Sequence, residues 1–268
     1  MKKSLLPLLS TVLLTVLWSA NICTAETNEG LAKQTQNPIA DLISVPFQNN
    51  LSFGLGPHNR AQNILNIQPV VPFHLTDDIN LITRTIVPIL RQPDLAKTTG
   101  STSGLGDINL SLFFTPAKLG QVIWGLGPVL QFPTATDEVL GTRKWSAGPA
   151  GLALTIQGPW VVGALAQQVW SYAGNSDRDK VSAFLLQYFV NYNFKGGFYL
   201  TSSPIITANW EAASGNKWVV PVGGGMGKIF RIGKMPLNAQ TQAFYNVSQT
   251  TFGPDWTLRL QLQFLFPK

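Results

Sequence analysis

Few residues in this 268-residue chain have the chemistry for catalysis or metal binding. The sequence contains two histidines, His58 and His74, and one cysteine, Cys23. A nucleophilic hydrolase needs its nucleophile within hydrogen-bonding reach of a base, and a structural zinc site needs several Cys or His ligands together. We therefore expect no metal site and no cofactor. Whether a histidine reaches the Ser202-Ser203 pair depends on the elements that carry these residues.

Polar side chains at every second position have the spacing to line a water-filled passage. The last segment, 256–266, shows the pattern most clearly, because aromatic and aliphatic residues alternate with Arg259, Gln261 and Gln263. A period of two is the signature of a strand with two unlike faces. The polar faces of these segments predict the following pore-lining residues: Asn80, Arg84, Gln187, Asn191, Asn238, Gln240, Gln242, Arg259, Gln261 and Gln263.

The composition indicates the fold that carries these faces. Charged residues make up 12% of the chain and apolar residues 45%, whereas an average soluble domain has about 25% charged residues. After the N-terminus there is no run of about 18 apolar residues, the minimum for a membrane-spanning helix. A membrane barrel, with lipid outside and water inside, fits both facts. A soluble periplasmic β-sandwich is the alternative fold.

The N-terminus has the pattern of a secretory signal peptide. Lys2 and Lys3 precede an apolar stretch over residues 5–20, and Cys23-Thr24-Ala25 offers small residues for cleavage. This pattern predicts that residues 1–25 are removed after Ala25, with an uncleaved anchor as the alternative. A mature chain that begins there has no cysteine and therefore no disulfide.

Residues 26–47 are predicted to be a linker or a plug that precedes the barrel. Residues 26–36 are polar and lack periodicity, so we expect a flexible lead-in. Asn37-Pro38 then resembles a helix start, and one or two helical turns over residues 39–45 would plug the barrel. A periplasmic linker is an equally good alternative. The plug candidates are Ile39, Asp41, Leu42 and Ile43.

Residues 48–268 are predicted to form an antiparallel up-and-down β-barrel of about twelve strands. The strands are expected near 51–57, 62–73, 78–90, 106–116, 121–132, 144–156, 160–172, 181–194, 198–210, 217–230, 236–248 and 255–266. Their connections alternate between tight turns and longer polar loops, as in bacterial barrels with periplasmic turns and outer loops. Several tryptophans fall at the loop ends of strands, as in aromatic girdles: Trp145, Trp170, Trp210, Trp218 and Trp256.

Several short motifs add a family resemblance. They are 102–108 with its Gly-Leu-Gly-Asp sequence, 114–117, 124–128, 144–149, 202–206 and 245–247. From about Asn37 to the C-terminus, the chain resembles the outer-membrane proteins grouped as "MetA-pathway of phenol degradation". These are often labelled neuromedin U-like or transporter, and the functional-amyloid export channel is a related branch. The resemblance implies a membrane barrel that passes small apolar or aromatic compounds, and it implies no catalytic residues.

The sequence therefore predicts a channel or transporter in the Gram-negative outer membrane, for small molecules or secreted chains. Arg84 and Arg259 would make its lumen basic; the alternative is that each arginine pairs with a carboxylate and only fills the interior. The expected partners are outer-membrane lipid and an unidentified small-molecule or polypeptide solute. A homo-oligomer is left open. The positive charges are scattered, so no nucleic-acid partner is expected.

Two other classes of function stay open. A structural or surface-binding barrel would use the loops at 91–105 and 133–143 and needs no open lumen. A barrel lipid-modifying hydrolase would need a histidine beside a nucleophile. The predicted topology places His58 and His74 at opposite ends of the barrel and Ser202-Ser203 in the middle of a strand, so we expect no enzyme.

Overall fold

The computed structural model describes residues 27–118 and 120–267. The predicted signal peptide lies outside these residues. The N-terminal helix is α1 (Asn28–Thr35). The strands are β1 (Ile43–Leu55), β2 (Arg60–Ile67), β3 (Val70–His74), β4 (Ile79–Pro93), β5 (Ser101–Leu105), β6 (Ile108–Pro116), β7 (Val122–Phe132), β8 (Lys144–Gln157), β9 (Trp160–Gly174), β10 (Ser182–Asn193), β11 (Phe198–Ser202), β12 (Ile205–Asn209), β13 (Trp218–Ile232), β14 (Met235–Ser248) and β15 (Trp256–Phe266).

These segments close into one antiparallel barrel. Three pairs of consecutive segments (β2 with β3, β5 with β6, and β11 with β12) are the halves of interrupted strands, because both halves of a pair contact the same neighbour. The barrel therefore has twelve strands. β15 pairs with β1 and β9 pairs with β10, so no edge is left open. The predicted fold class is confirmed.

The two faces of the barrel wall have opposite polarity. On β15, Leu260 and Leu262 are 43% and 39% exposed, while Arg259 and Gln263 are 6% and 5% exposed. A water-soluble protein buries its aliphatic residues and exposes its charged ones. The reverse arrangement, repeated around the wall at Trp124, Leu126 and Phe266, is that of a barrel whose outer face meets lipid.

The connections are short at one end of the barrel and longer at the other. The short-turn end carries residues 75–78, 158–159 and 233–234, whereas the loop end carries 133–143 and 249–255, among others. The chain enters β1 and leaves β15 at the short-turn end, because β1 runs away from that end and β15 runs back to it. Among the described residues, no helix is long and apolar enough to span a membrane.

The interior of the barrel has an apolar half and a polar half. Inward-facing apolar side chains from β4 and β6 to β10 pack together, with Ile82, Phe113 and Val161 fully buried. The inward faces of β14, β15 and β1 carry asparagine, glutamine and Arg259 instead. The apolar and the polar inward faces therefore lie on different sides of the lumen.

The N-terminal helix lies earlier in the chain than the sequence predicts. It spans Asn28–Thr35, within the segment expected to be a flexible lead-in. Thr27 caps it, because its Oγ1 accepts a hydrogen bond from the Gly30 amide at 3.1 Å, and Lys33 pairs with Glu29 one turn away at 3.0 Å. Asn37-Pro38 forms a turn after the helix rather than a helix start, since the Asn37 side chain accepts from the Ile39 amide.

The first strand also begins earlier than expected. β1 starts at Ile43, upstream of residue 48 and of the first predicted strand near 51. Proline cannot donate a ladder hydrogen bond, so a strand accommodates it only where no donor is needed. In the barrel, Pro46 lies opposite the interruption between β2 and β3, and its carbonyl accepts from the Gln68 amide at 2.9 Å. The missing donor is therefore not needed there.

Candidate functional site

A polar cavity of about 140 Å³ lies inside the barrel, between the N-terminal segment and the polar half of the wall. Its lining includes the residues from Gln34 to Pro38, then Ala40 and Leu42, and inward positions of β1, β4, β10, β14 and β15. Most of the predicted pore-lining residues meet in this cavity: Arg84, Gln187, Asn191, Asn238, Gln240, Arg259, Gln261 and Gln263. Within the described part of the chain, no Asp, Glu or Lys side chain lines it.

Two predicted pore-lining residues lie elsewhere in the interior. Asn80 lines a separate pocket at the short-turn rim, with His74 and Thr115. Gln242 is 1% exposed and exchanges hydrogen bonds with Ser203, whose amide and hydroxyl both bond to its Oε1. Gln242 therefore supports the wall beside the cavity.

Arg84 lines this cavity. Its Nη2 donates to Gln68 Oε1 at 2.6 Å, which uses one of the five N–H donors that an arginine carries. Within the described residues, no carboxylate lies within 4.0 Å of Arg84 or Arg259. The alternative that each arginine is neutralised by a carboxylate is therefore wrong for this part of the chain.

Arg259 is held more firmly than Arg84. Its Nε donates to Asn50 Oδ1 at 3.0 Å, and its Nη1 donates to the carbonyl of Ser203 at 2.9 Å. The guanidinium also lies over the Phe244 ring, 4.8 Å from its centre, a favourable cation–π position. These contacts fix the orientation of the side chain at the cavity wall.

The amide groups of the polar wall are ordered by one another. The Tyr199 hydroxyl donates to Asn238 Oδ1 at 2.8 Å, and Asn238 Nδ2 donates to Gln263 Oε1 at 3.2 Å. A buried network whose members satisfy each other is rigid. The cavity wall therefore has a defined pattern of donors and acceptors.

The N-terminal segment packs against the barrel wall at the short-turn end of this cavity. Leu31 and Ala32 of α1 are fully buried, in a cluster with Tyr199, Ile229 and Leu265 of the wall. Together with the residues that follow the helix, α1 forms what we call the plug, residues 27–42. The plug is attached to the barrel by an apolar contact that involves three strands.

Two polar contacts complete the attachment. Gln36 and Asn193 exchange side-chain hydrogen bonds of 2.8 and 2.9 Å. The helix also approaches the turn at 195–197 closely: Gly197 has φ +83°, and a Cβ there would lie 2.9 Å from the Cβ of Asn28. A side chain at Gly197 would therefore push the helix away.

The predicted plug residues take different positions in this arrangement. Ile39 packs into the apolar half of the lumen, and Leu42 joins the cluster around Leu31. Asp41 lies 3.0 Å from His74 at the short-turn rim. Ile43 is the first residue of β1. Residues 39–42 thus line or close the mouth without forming a helix.

Several residues of the site were missed by the sequence analysis. Gln48 and Ser44 belong to the unrecognised start of β1, although their alternation with Val45 and Phe47 was a usable signal. Gln68 follows a strand end, and nothing in its local pattern marks it as the partner of Arg84. Leu31 of α1 and Gln36, which follows the helix, lie in the segment predicted to be a flexible lead-in.

The serines and histidines do not assemble a hydrolytic site. Ser202 Oγ donates to the Gly223 carbonyl, and Ser203 bonds to Gln242. His58 lies in the loop-end connection at 56–59, whereas His74 ends β3 at the short-turn end. Within the described residues, no group of three or more His, Cys, Asp or Glu side chains could hold a metal ion.

A closed antiparallel barrel with an apolar outer face and a polar interior is the architecture of outer-membrane barrel proteins. The chain is similar in structure to the COG4313 outer membrane channel from Pseudomonas putida F1, with a TM-score of 0.64 and 19% identity over 84% of this chain and 94% of that one. At this identity the likeness shows the fold. No protein-family model and no curated protein sequence matches the chain.

Two phospholipase structures are more distant. Outer membrane phospholipase A from Escherichia coli has a TM-score of 0.47 and 13% identity over 91% of this chain and 99% of its own. The calcium-bound phospholipase dimer from Salmonella typhi has a TM-score of 0.45 and 13% identity over 91% and 98%. Structural similarity at TM-scores below 0.5 supports no argument about the activity of this chain.

Proposed function

We propose that the protein is a channel of the Gram-negative outer membrane whose periplasmic end is closed by the plug. The observation that carries this proposal is the polar cavity directly behind residues 27–42. A barrel that only had to be stable would gain nothing from placing two arginines beside an interior space, because buried charge is costly. Intramembrane ionisable groups are a mark of a solute path.

The outer surface supports the membrane location. Exposed aliphatic side chains cover the middle of the strands, and Trp145, Trp170 and Trp256 lie exposed near the loop end. Aromatic rings at the border of an apolar band are typical of barrels in lipid. By the same rule, the short turns and the plug face the periplasm.

The lining favours small polar solutes. The family resemblance points to apolar or aromatic compounds, but the open side of the lumen carries amides and arginines, and the apolar side chains are packed against one another. A secreted polypeptide would require that both the plug and this apolar packing leave the lumen. Membership of the "MetA-pathway" group remains part of the proposal and rests on the motifs.

Single-channel conductance tests whether the plug closes the channel. Deletion of residues 27–40 removes α1 and the turn after it but leaves β1, whose residues from Ile43 onward pair with β15. We expect larger stepwise conductance in planar bilayers from the refolded deletion variant than from the intact chain. The control is Lys33→Gln, which removes only the ion pair with Glu29 on the helix surface and should conduct as the intact chain does.

Silence of both the intact and the shortened chain would contradict the proposal, provided that both show the heat-modifiable gel migration of a folded barrel. That result would favour a structural or surface-binding barrel.

A further inference from the structure

We propose that the cavity behind the plug is a binding site for a small organic carboxylate, with Arg84 and Arg259 as its cationic ligands. Entry of the ligand rests on the proposed channel function, whereas binding is tested separately below. Its volume of about 140 Å³ is about ten times the roughly 10–15 Å³ that a single water needs by the same measure. That is room for a small organic acid.

The first argument is charge. Arg84 and Arg259 line the same cavity. Two like charges in a membrane interior repel each other and lose hydration. Within the described residues no carboxylate offsets them. An anion between the two would relieve both costs, and a cation would add to them.

The second argument is geometry. Within the described residues Arg84 has one hydrogen bond, to Gln68, and its side chain lines the cavity, so its other N–H donors can serve a ligand. Arg259, itself 6% exposed, is oriented by Asn50, Ser203 and Phe244. A planar guanidinium group matches a planar carboxylate through two parallel hydrogen bonds. A loosely held pair of lysines would lack this preference.

The remaining lining supplies neutral donors and no repulsive group. Gln187, Gln240 and Gln261 carry amide N–H groups at the cavity wall. Amide donors complete the hydrogen bonds of a bound carboxylate without adding charge. Cation-selective channels usually carry rings of Asp or Glu side chains. The described lining of this cavity contains neither residue type.

Titration calorimetry of the full-length, detergent-solubilised protein tests the binding. The probes are sodium succinate, sodium sulfate and sodium chloride at matched ionic strength. We expect saturable succinate binding that Arg84→Gln weakens by about tenfold or more, as for the loss of a charge-assisted hydrogen bond. Arg91→Gln is the matched control, because it removes an equal charge at an exposed position on β4 whose side chain contacts Ser101.

Arg84→Lys is a second variant, which keeps the proposal testable if Arg84→Gln does not fold. It keeps the charge but loses the fork, so it should fold and bind succinate more weakly than the intact protein does. Equal binding by all four proteins, or no heat of binding to the intact protein, would overturn the proposal. Tighter binding of sulfate or chloride than of succinate would overturn the carboxylate assignment in favour of an inorganic anion.

Measurements of reversal potential distinguish failure of the carboxylate site from failure of the proposed channel function. In the plug-deleted protein under a potassium succinate gradient, we expect anion preference that falls in Arg84→Gln. Succinate binding without any conductance would leave the site standing and remove the channel. Conductance without succinate binding, or without anion preference, would leave the channel standing and remove the site.

Discussion

At the scale of single residues, Asp107 explains part of the motif on which the family resemblance rests. Its Oδ2 accepts from the amide and the hydroxyl of Thr142, both at 2.7 Å, and its Oδ1 accepts from the Ala135 amide at 3.2 Å. One carboxylate thus ties both ends of the 133–143 loop to the interruption between β5 and β6. The motif has a structural role at the loop end, away from the cavity.

Replacement of Asp107 by alanine should loosen this loop without changing conductance. Three hydrogen bonds to a charged group are lost, each contributing about 1.5–3 kcal/mol. Limited proteolysis of the folded protein should then cut within 133–143, where the intact chain resists. Asp179→Ala, in the neighbouring 175–181 connection, is the control and should leave the 133–143 loop uncut. Equal resistance of Asp107→Ala and the intact chain would contradict this role.

The sequence predicts which residues face inward but not how deep they lie. Asn80 and Arg84 share one face of β4, yet Asn80 lies at the rim and Arg84 in the cavity. Phe113 and Phe189 also occupy inward positions on otherwise polar faces. Their packing with other strands across the lumen depends on the shape of the closed barrel, which no local pattern encodes.

At the scale of elements, the strand pattern is a strong predictor because alternation and turn spacing are local. The first strand and the helix were misplaced for a physical reason. By general preference, Pro46 ends an element and Asn37-Pro38 begins a helix. Tertiary context decided otherwise: the gap between β2 and β3 accommodates Pro46, and burial of Leu31 against the wall stabilises a short polar helix.

Arginine substitutions at two depths in the membrane test which face of β15 meets lipid. Leu260 points outward from the middle of β15, while Phe252 is 57% exposed in the 249–255 loop. An arginine at the bilayer midplane costs about 2–4 kcal/mol and one near the interface about 0–1. In denaturant unfolding from lipid vesicles, Leu260→Arg should therefore lose much more stability than Phe252→Arg. An equal loss in both variants would contradict the assignment of the outer face.

At the scale of the whole molecule, closure and filling of the barrel account for its organisation. Pairing of β1 with β15 and of β9 with β10 satisfies the backbone groups that an open sheet would leave exposed to lipid. The apolar half of the lumen gives the barrel an inner core, and the polar half leaves the cavity. Under the proposed function, the plug decides whether that cavity communicates with the short-turn end.

Closure of the channel by the plug is tested most directly by the single-channel conductance of two variants, Leu31→Asp and Leu31→Met. An unpaired carboxylate buried against Tyr199, Ile229 and Leu265 costs several kcal/mol, so the plug should leave the lumen. Methionine has a similar volume and keeps the contact. We predict larger and more frequent openings in Leu31→Asp, and the conductance of the intact chain in Leu31→Met. Equal conductance of the two folded variants would contradict the claim that residues 27–42 close the channel.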